Sequence, residues 1–297
     1  MSYVIITDSA TDMCPEIIEQ FHLRVIPTPV VIDGKDYFDG ETIKTDEFYR
    51  LLRSGEHVIS TYHINQDMFY QAFEPYAKRG EEVVYFCFST GIAGTFNAAN
   101  LAKRDLLEKY PEFDLTIVDS KCASMGFGLL VYLALLMQKN GADKQTVLEA
   151  AEFHKSHMEH IFTVETLAYL LKGGRISKTS AIAGGLLDIK PIIEINENGA
   201  LEAFEKTRGR KRSLERVLEL TGERGKDLEN QVVAIVHGDC EDTMLEIKKQ
   251  VELRYHPKAI KTSMIGCAIG AHTGPGVIAI VFMNEESPYK KWYLNDL

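Results

Sequence analysis

The sequence has no apolar run approaching the roughly 20 residues that a membrane-spanning helix needs, so stable membrane insertion is not expected. Its opening, Met1-Ser2-Tyr3-Val4-Ile5-Ile6-Thr7-Asp8, reads as a strand and lacks the basic start of a secretion signal. Cysteine is scarce. The five residues Cys14, Cys87, Cys122, Cys240 and Cys267 are scattered and form no CxxC, which argues against a zinc site or a disulfide framework and fits a reducing, cytoplasmic setting. Basic residues are outnumbered: 33 Lys and Arg against 43 Asp and Glu give a net charge of -10. Nucleic acid is therefore not an expected partner, since phosphate binding calls for an excess of Lys and Arg. Internal repeats, low-complexity tracts and a flexible linker are also missing. His154, His157 and His160 are spaced roughly as on a helix face, but without carboxylates or an HExxH pattern they do not indicate a metal.

What is present suits one or two domains with full cores: 297 residues, 45% of them hydrophobic. Tyr3–Thr7 is a short β-rich run ending in Asp8-Ser9-Ala10-Thr11-Asp12. Such a polar cluster either lies at the ligand-binding edge of a parallel sheet or caps a helix starting near Pro15. Val25–Ile32 is broken by Pro27 and Pro29, so a sheet edge or a bent connection is expected. Thr45–Arg53 reads as a helix capped by Thr45, and a second is expected from about Gln66 to Lys78. The hydroxyls of Ser60 and Thr61 before it could cap that helix or meet a ligand. Val83–Phe88 is a buried strand that empties into Ser89-Thr90-Gly91-Ile92-Ala93-Gly94-Thr95, with a helix expected over Phe96–Tyr110. Strand, small-residue loop and helix N-terminus together can receive an anion. The loop lacks the Gly-Lys-Ser/Thr ending of a P-loop. Leu115–Val118 repeats the pattern of a strand ending in Asp-Ser, and a mostly apolar helix then carries Gly126-Phe127-Gly128, which lacks the third glycine of a dinucleotide fingerprint.

Residues 1–155 thus predict a doubly wound, mainly parallel α/β domain, and 156–297 a smaller mixed-sheet α/β domain. In the second, Lys172–Ser177 is a glycine break and Ser180–Leu187 a small-residue helix. Two strands, Ile189–Ile195 and Leu201–Thr207, should pair across Asn196–Gly199. Lys206–Arg212 carries five basic residues in seven, either as a solvated face or with one Arg turned inward to an anion. Near the end, Gly266–Gly276 packs glycines around His272 and Thr273, between two apolar runs. It reads either as a turn with a surface His or as a loop that offers N–H groups and an imidazole to an anion.

Taken together these stretches resemble the DegV family of bacterial fatty-acid-binding proteins. The resemblance rests on Ile6-Thr7-Asp8-Ser9, Phe88–Thr95, Val118-Asp119-Ser120-Lys121, Thr166-Leu167 with Leu170–Ser177, Lys190-Pro191-Ile192 and Gly270–Gly276, in that order and spacing over nearly the whole chain. It implies two α/β domains with a lipid tunnel between them and no cofactor beyond the bound fatty acid. It also implies a carrier role: a long-chain fatty acid is held while a separate ATP-binding subunit of a fatty acid kinase phosphorylates its carboxylate. Carried over by position, the carboxylate contacts fall on Thr61, Ser89, Thr90 and Gly94, with His272 and Thr273. The support for phosphoryl transfer or partner docking falls on Arg208 and His272. Where the family usually reads Thr-Ser-Gln-Pro-Ser, this chain has Thr61-Tyr62-His63-Ile64-Asn65, and Ala93 replaces a Ser. Fewer hydroxyls are therefore expected at the carboxylate, with more backbone N–H groups. Two other readings stand beside the carrier: a hydrolase using Ser89 with His272, for which no Gly-x-Ser-x-Gly elbow is present, and a lipid-responsive regulatory protein docking through Lys206–Arg212.

Overall fold

The computed structural model describes residues 3–177 and 188–297, so the helix expected over 180–187 lies outside the described residues. The first sheet is wholly parallel, in the order β2 (Arg24–Ile26), β1 (Tyr3–Asp8), β6 (Glu82–Cys87), β7 (Leu115–Asp119). Its central strands are nearly continuous apolar runs because both faces are covered. On one side lie α3 (Gln66–Arg79) and α4 (Thr95–Lys109), whose Phe69, Phe73 and Ala99 pack with Val83 and Tyr85. On the other lie α1 (Pro15–Phe21) and α5 (Ser124–Lys139), which share a core with Val84 and Phe86.

The second sheet begins at Met158 and is mixed. Its order is β10 (Leu201–Arg208), β9 (Ile189–Ile195), β8 (Met158–Thr163), β13 (Ile278–Met283), β11 (Val232–His237), β12 (Ala259–Met264), with only β11 and β12 parallel. Helices α8 (Arg210–Arg224) and α9 (Glu241–Tyr255) cover one face, and α5, followed by α6 (Lys144–His157), covers the other. Ser124–Met137 of α5 is buried throughout, which is why that helix shows no polar face. It is sandwiched between the sheets, and one core runs from Phe86 through α5 to Val236 and Val281.

A small antiparallel sheet, β4 (Lys35–Phe38), β3 (Pro29–Ile32), β5 (Ile59–Thr61), packs with α2 (Thr45–Ser54) against α10 (Cys267–Thr273). Pro29 opens β3, where its missing N–H costs least. Short α7 (Ala168–Lys172) also touches α10.

Several local expectations change. The N-cap of α2 is Lys44, not Thr45, and no side chain caps it. His160 is not on a helix face with His154 and His157: α6 ends at His157, and His160 lies in β8. His154 lies in the core, bonding Ser287 at 2.8 Å. Among the described residues no group of His, Cys, Asp and Glu could hold a metal, and no helix is long and apolar enough to cross a membrane. The first part of Gly266–Gly276 is α10 rather than an irregular loop. Its first amides are capped from far away in sequence. Asp12 accepts from the Gly266 N–H at 2.9 Å, and Asp39 accepts from Cys267 and Ala268 at 3.0 and 3.1 Å.

Candidate functional site

The cavity of interest lies where β1, β5, α4, α5, α10 and the second sheet meet. It holds about 950 Å³ of empty space counting its open mouth. Its walls are mainly apolar, with Phe162, Leu170, Val236, Ile265, Ala279 and Val281 among them.

One end is polar. Thr61, the last residue of β5, meets His272 of α10 with Oγ1 and Nε2 2.6 Å apart. The alternative use of Thr61, capping α3, is taken by Asn65, whose side chain accepts from the Met68 N–H at 3.0 Å. The His272 ring is in close contact with Gly173, where a Cβ would lie 2.1 Å from Nδ1. Among the described residues Nδ1 has no hydrogen-bond partner. Burial, and secondarily the nearby Arg175 guanidinium, push the imidazole down to about 4, so His272 is neutral at physiological pH. Arg175 and Thr273 line the same cavity. Arg175 is turned back on its own glycine break, donating to the Gly173 carbonyl at 2.6 Å.

Gly94 is the N-cap of α4 and, lacking a side chain, makes no side-chain capping bond. A Cβ there would be 3.4 Å from the His63 ring. His63, Ala93 and Thr95 line the cavity beside it. The positive dipole end of a 15-residue helix therefore lies beside His63 at the cavity wall.

Ser89 and Thr90 are not brought to the cavity. Ser89 is fully buried, and its hydroxyl donates to the Gly199 carbonyl at 2.7 Å across the seam between the two sheets. Thr90 donates to Asp119 at 2.6 Å and accepts from Lys121 at 3.0 Å. Arg208 is exposed at the end of β10. In the same basic run it is Arg210 that turns inward, to Glu165 at 3.0 Å and to the Gly276 carbonyl.

Away from the mouth, Asp8 lines the cavity with its carboxylate engaged by Tyr85 Oη at 2.7 Å and the amides of Ala10 and Phe88. Burial outweighs these bonds and raises it to about 6. Ser124 donates to Asp12 at 2.5 Å. His160 is also in the wall. Sequence reading missed His63, Thr95, Arg175 and His160. Arg175 had a signal, since it directly follows the paired glycines of a quoted motif. The other three are placed by tertiary contacts that no local pattern reports.

The model of the DegV family of uncharacterised proteins matches residues 2–285. A DegV domain-containing protein of Clostridium perfringens is 36% identical over 285 residues, covering 95% of this chain and 98% of its own. The fold superposes with a TM-score of 0.86 on a DegV family protein from Thermus thermophilus described by its fatty acid binding, at 25% identity, covering 95% of this chain and all of that one. It superposes equally, at 0.86 and 26% identity, on a stearic acid-binding protein from Eubacterium ventriosum, covering 95% of this chain and 99% of that one. The chain belongs to the DegV family.

Proposed function

We propose that this protein binds a long-chain fatty acid, with the alkyl chain in the cavity and the carboxylate at the mouth beside Thr61, His272 and Thr273. The observation that carries the reading is the cavity's polarity: mainly apolar walls with hydroxyl, imidazole and helix-terminal N–H groups gathered at one end. Each buried methylene contributes about 0.8 kcal/mol, so a long chain needs little polar help. The carboxylate must find hydrogen bonds, because burying it bare is costly. The Thr61 hydroxyl and the start of α4 behind Gly94 can supply them. Asp8, a buried acid further in, disfavours the reversed orientation. Ser89 and Thr90 act one step back, holding the loop that carries Gly94. The likeness to structures described as binding fatty acids supports the same ligand class.

In this reading the protein is a cytoplasmic carrier without catalytic activity of its own. It presents the carboxylate to a separate ATP-binding kinase subunit, which forms an acyl phosphate. Neutral donors suit that role, since they satisfy the carboxylate without locking it in a buried salt bridge. Exposed Arg208 is available to the partner or the phosphates, and His272 to the reacting carboxylate. A hydrolase is not supported: the Ser89 hydroxyl serves Gly199, while His272 pairs with Thr61.

The test is mass spectrometry of an organic extract of the denatured, purified protein. A stoichiometric long-chain fatty acid is expected. Protein that is lipid-free as isolated, and that takes up no added fatty acid, overturns the reading.

A further inference from the structure

We propose that the inner part of the cavity is a second polar subsite, built on His160, that selects an acyl chain carrying a hydroxyl group partway along its length. This rests on the reading that the cavity holds a fatty acid.

His160 is 4% exposed, and its ring lines the cavity. Among the described residues neither ring nitrogen has a hydrogen-bond partner. The carbonyls of Met158 and Ala123 are near enough to favour its charged form slightly, but burial prevails and lowers it to about 4. The ring is thus neutral, with one N–H to give and one lone pair to fill. Buried polar groups are almost always satisfied, and one left unmade carries a desolvation penalty.

The fold also makes room for this ring. Across from it, on α5, a Cβ at Gly126 would lie 1.9 Å from Nε2. Gly126 stands in the first turn of α5, and its missing side chain leaves the space that the imidazole occupies. A leucine would fill such a wall without the polar penalty.

Position separates this subsite from the carboxylate end. His160 pairs in register with Val281 of β13. Val277, just after the His272 segment, lines the same cavity four residues earlier. At about 3.3 Å per residue that is roughly 13 Å along the strand direction. A chain anchored at Thr61 and His272 would pass His160 partway along, among apolar walls formed by Phe162, Val236 and Val281. A hydroxyl at that level can both donate and accept, so it suits either tautomer of the ring.

The experiment compares stearic acid with hydroxystearic acids whose hydroxyl is moved carbon by carbon along the chain. Each affinity is measured on wild type, His160→Leu and His160→Gln. A hydroxyl buried without a partner should weaken binding about 5- to 150-fold relative to stearic acid. Wild type should show that loss at most positions and recover it at one position partway along the chain. His160→Leu should lose the recovery, and His160→Gln, which keeps a donor and an acceptor, should restore part of it. Because the ratio of two ligands is read within each variant, a general loss of affinity does not imitate the effect. Stearic acid binding with every hydroxy acid weaker on wild type overturns the subsite alone, as does a recovery that survives in His160→Leu. Failure of all the acids to bind, stearic included, overturns the fatty-acid reading with it.

Discussion

Replacing Thr61 by valine keeps the shape of the side chain and removes its hydroxyl. Two effects follow. In the free protein, His272 loses the bond at Nε2, and its Nδ1 has no partner among the described residues. A buried ring with neither nitrogen satisfied costs about 1–3 kcal/mol of stability. In the complex, the carboxylate loses a hydrogen bond to a charged acceptor, worth about 1.5–3 kcal/mol, or about 10- to 150-fold in affinity. The methyl ester of the same acid carries no charge, so the hydroxyl is worth only about 0.5–1.5 kcal/mol to it. Titration calorimetry of palmitic acid and methyl palmitate on wild type and Thr61→Val therefore reads the site directly. The acid should lose the larger factor, the gap between acid and ester should shrink, and Thr61→Ser should restore it. Equal losses for acid and ester, or none for either, would falsify the assignment of the carboxylate to this end of the cavity.

Gly173→Ala puts a Cβ 2.1 Å from His272 Nδ1; the ring must move, and palmitic acid affinity should fall at least tenfold in the same calorimetric assay, while circular dichroism stays native. Gly91→Ala meets backbone rather than a flexible side chain, 2.4 Å from the Gly199 carbonyl carbon, so urea unfolding should show about 1–3 kcal/mol of destabilisation from overpacking at the seam. For pH dependence, His154 is informative: burial lowers it from 6.5 to about 3. The unfolded chain then takes up this proton first as the pH falls, so its contribution is whole above 6.5 and is lost as the pH drops toward 3. The stability advantage of wild type over His154→Gln should accordingly shrink by about 1.4 kcal/mol per pH unit between roughly 6 and 4; a constant gap over that range means the imidazole is not held neutral in the fold.

Much of this architecture is legible in residue order. The apolar run Val83–Phe88 followed by a glycine-rich loop gives a parallel strand and a helix start, and Asn196–Gly199 gives the hairpin that joins β9 to β10. Periodicity and turn chemistry are local, and these elements follow local rules. The site is less legible because its parts are set by partners distant in sequence. Ser89 looks like a ligand hydroxyl until Gly199 arrives 110 positions later to accept its proton. The segment around His272 looks like a glycine loop because the carboxylates that cap its helix come from Asp12 and Asp39. His160 seemed to continue a helical spacing, yet α6 stops at His157 and the chain enters β8, where pairing with Val281 sets its place. Motif order does not tell which hydroxyl in a segment faces the cavity.

The same distant contacts explain why the cavity is fixed in place although it lies between two sheets. Asp12 spans the junction: it accepts from Ser124 of α5 and from the Gly266 amide, and its own carbonyl accepts from Ser263 of β12. Asp39 ties the small sheet to α10, and Ser89 ties the α4 loop to the β9–β10 hairpin. Burial raises both of those aspartates above the ordinary carboxylate range, with hydrogen bonds from Ser124 and from the α10 amides working against the rise. Apolar packing alone would favour closing the gap, since empty space between sheets forfeits contacts on both walls. Polar ties satisfied in one geometry oppose that collapse, because shifting the sheets together would leave buried carboxylates and amides unpaired. The ties therefore hold the cavity open, and the mouth groups Thr61 and His272 belong to elements, β5 and α10, that those ties position.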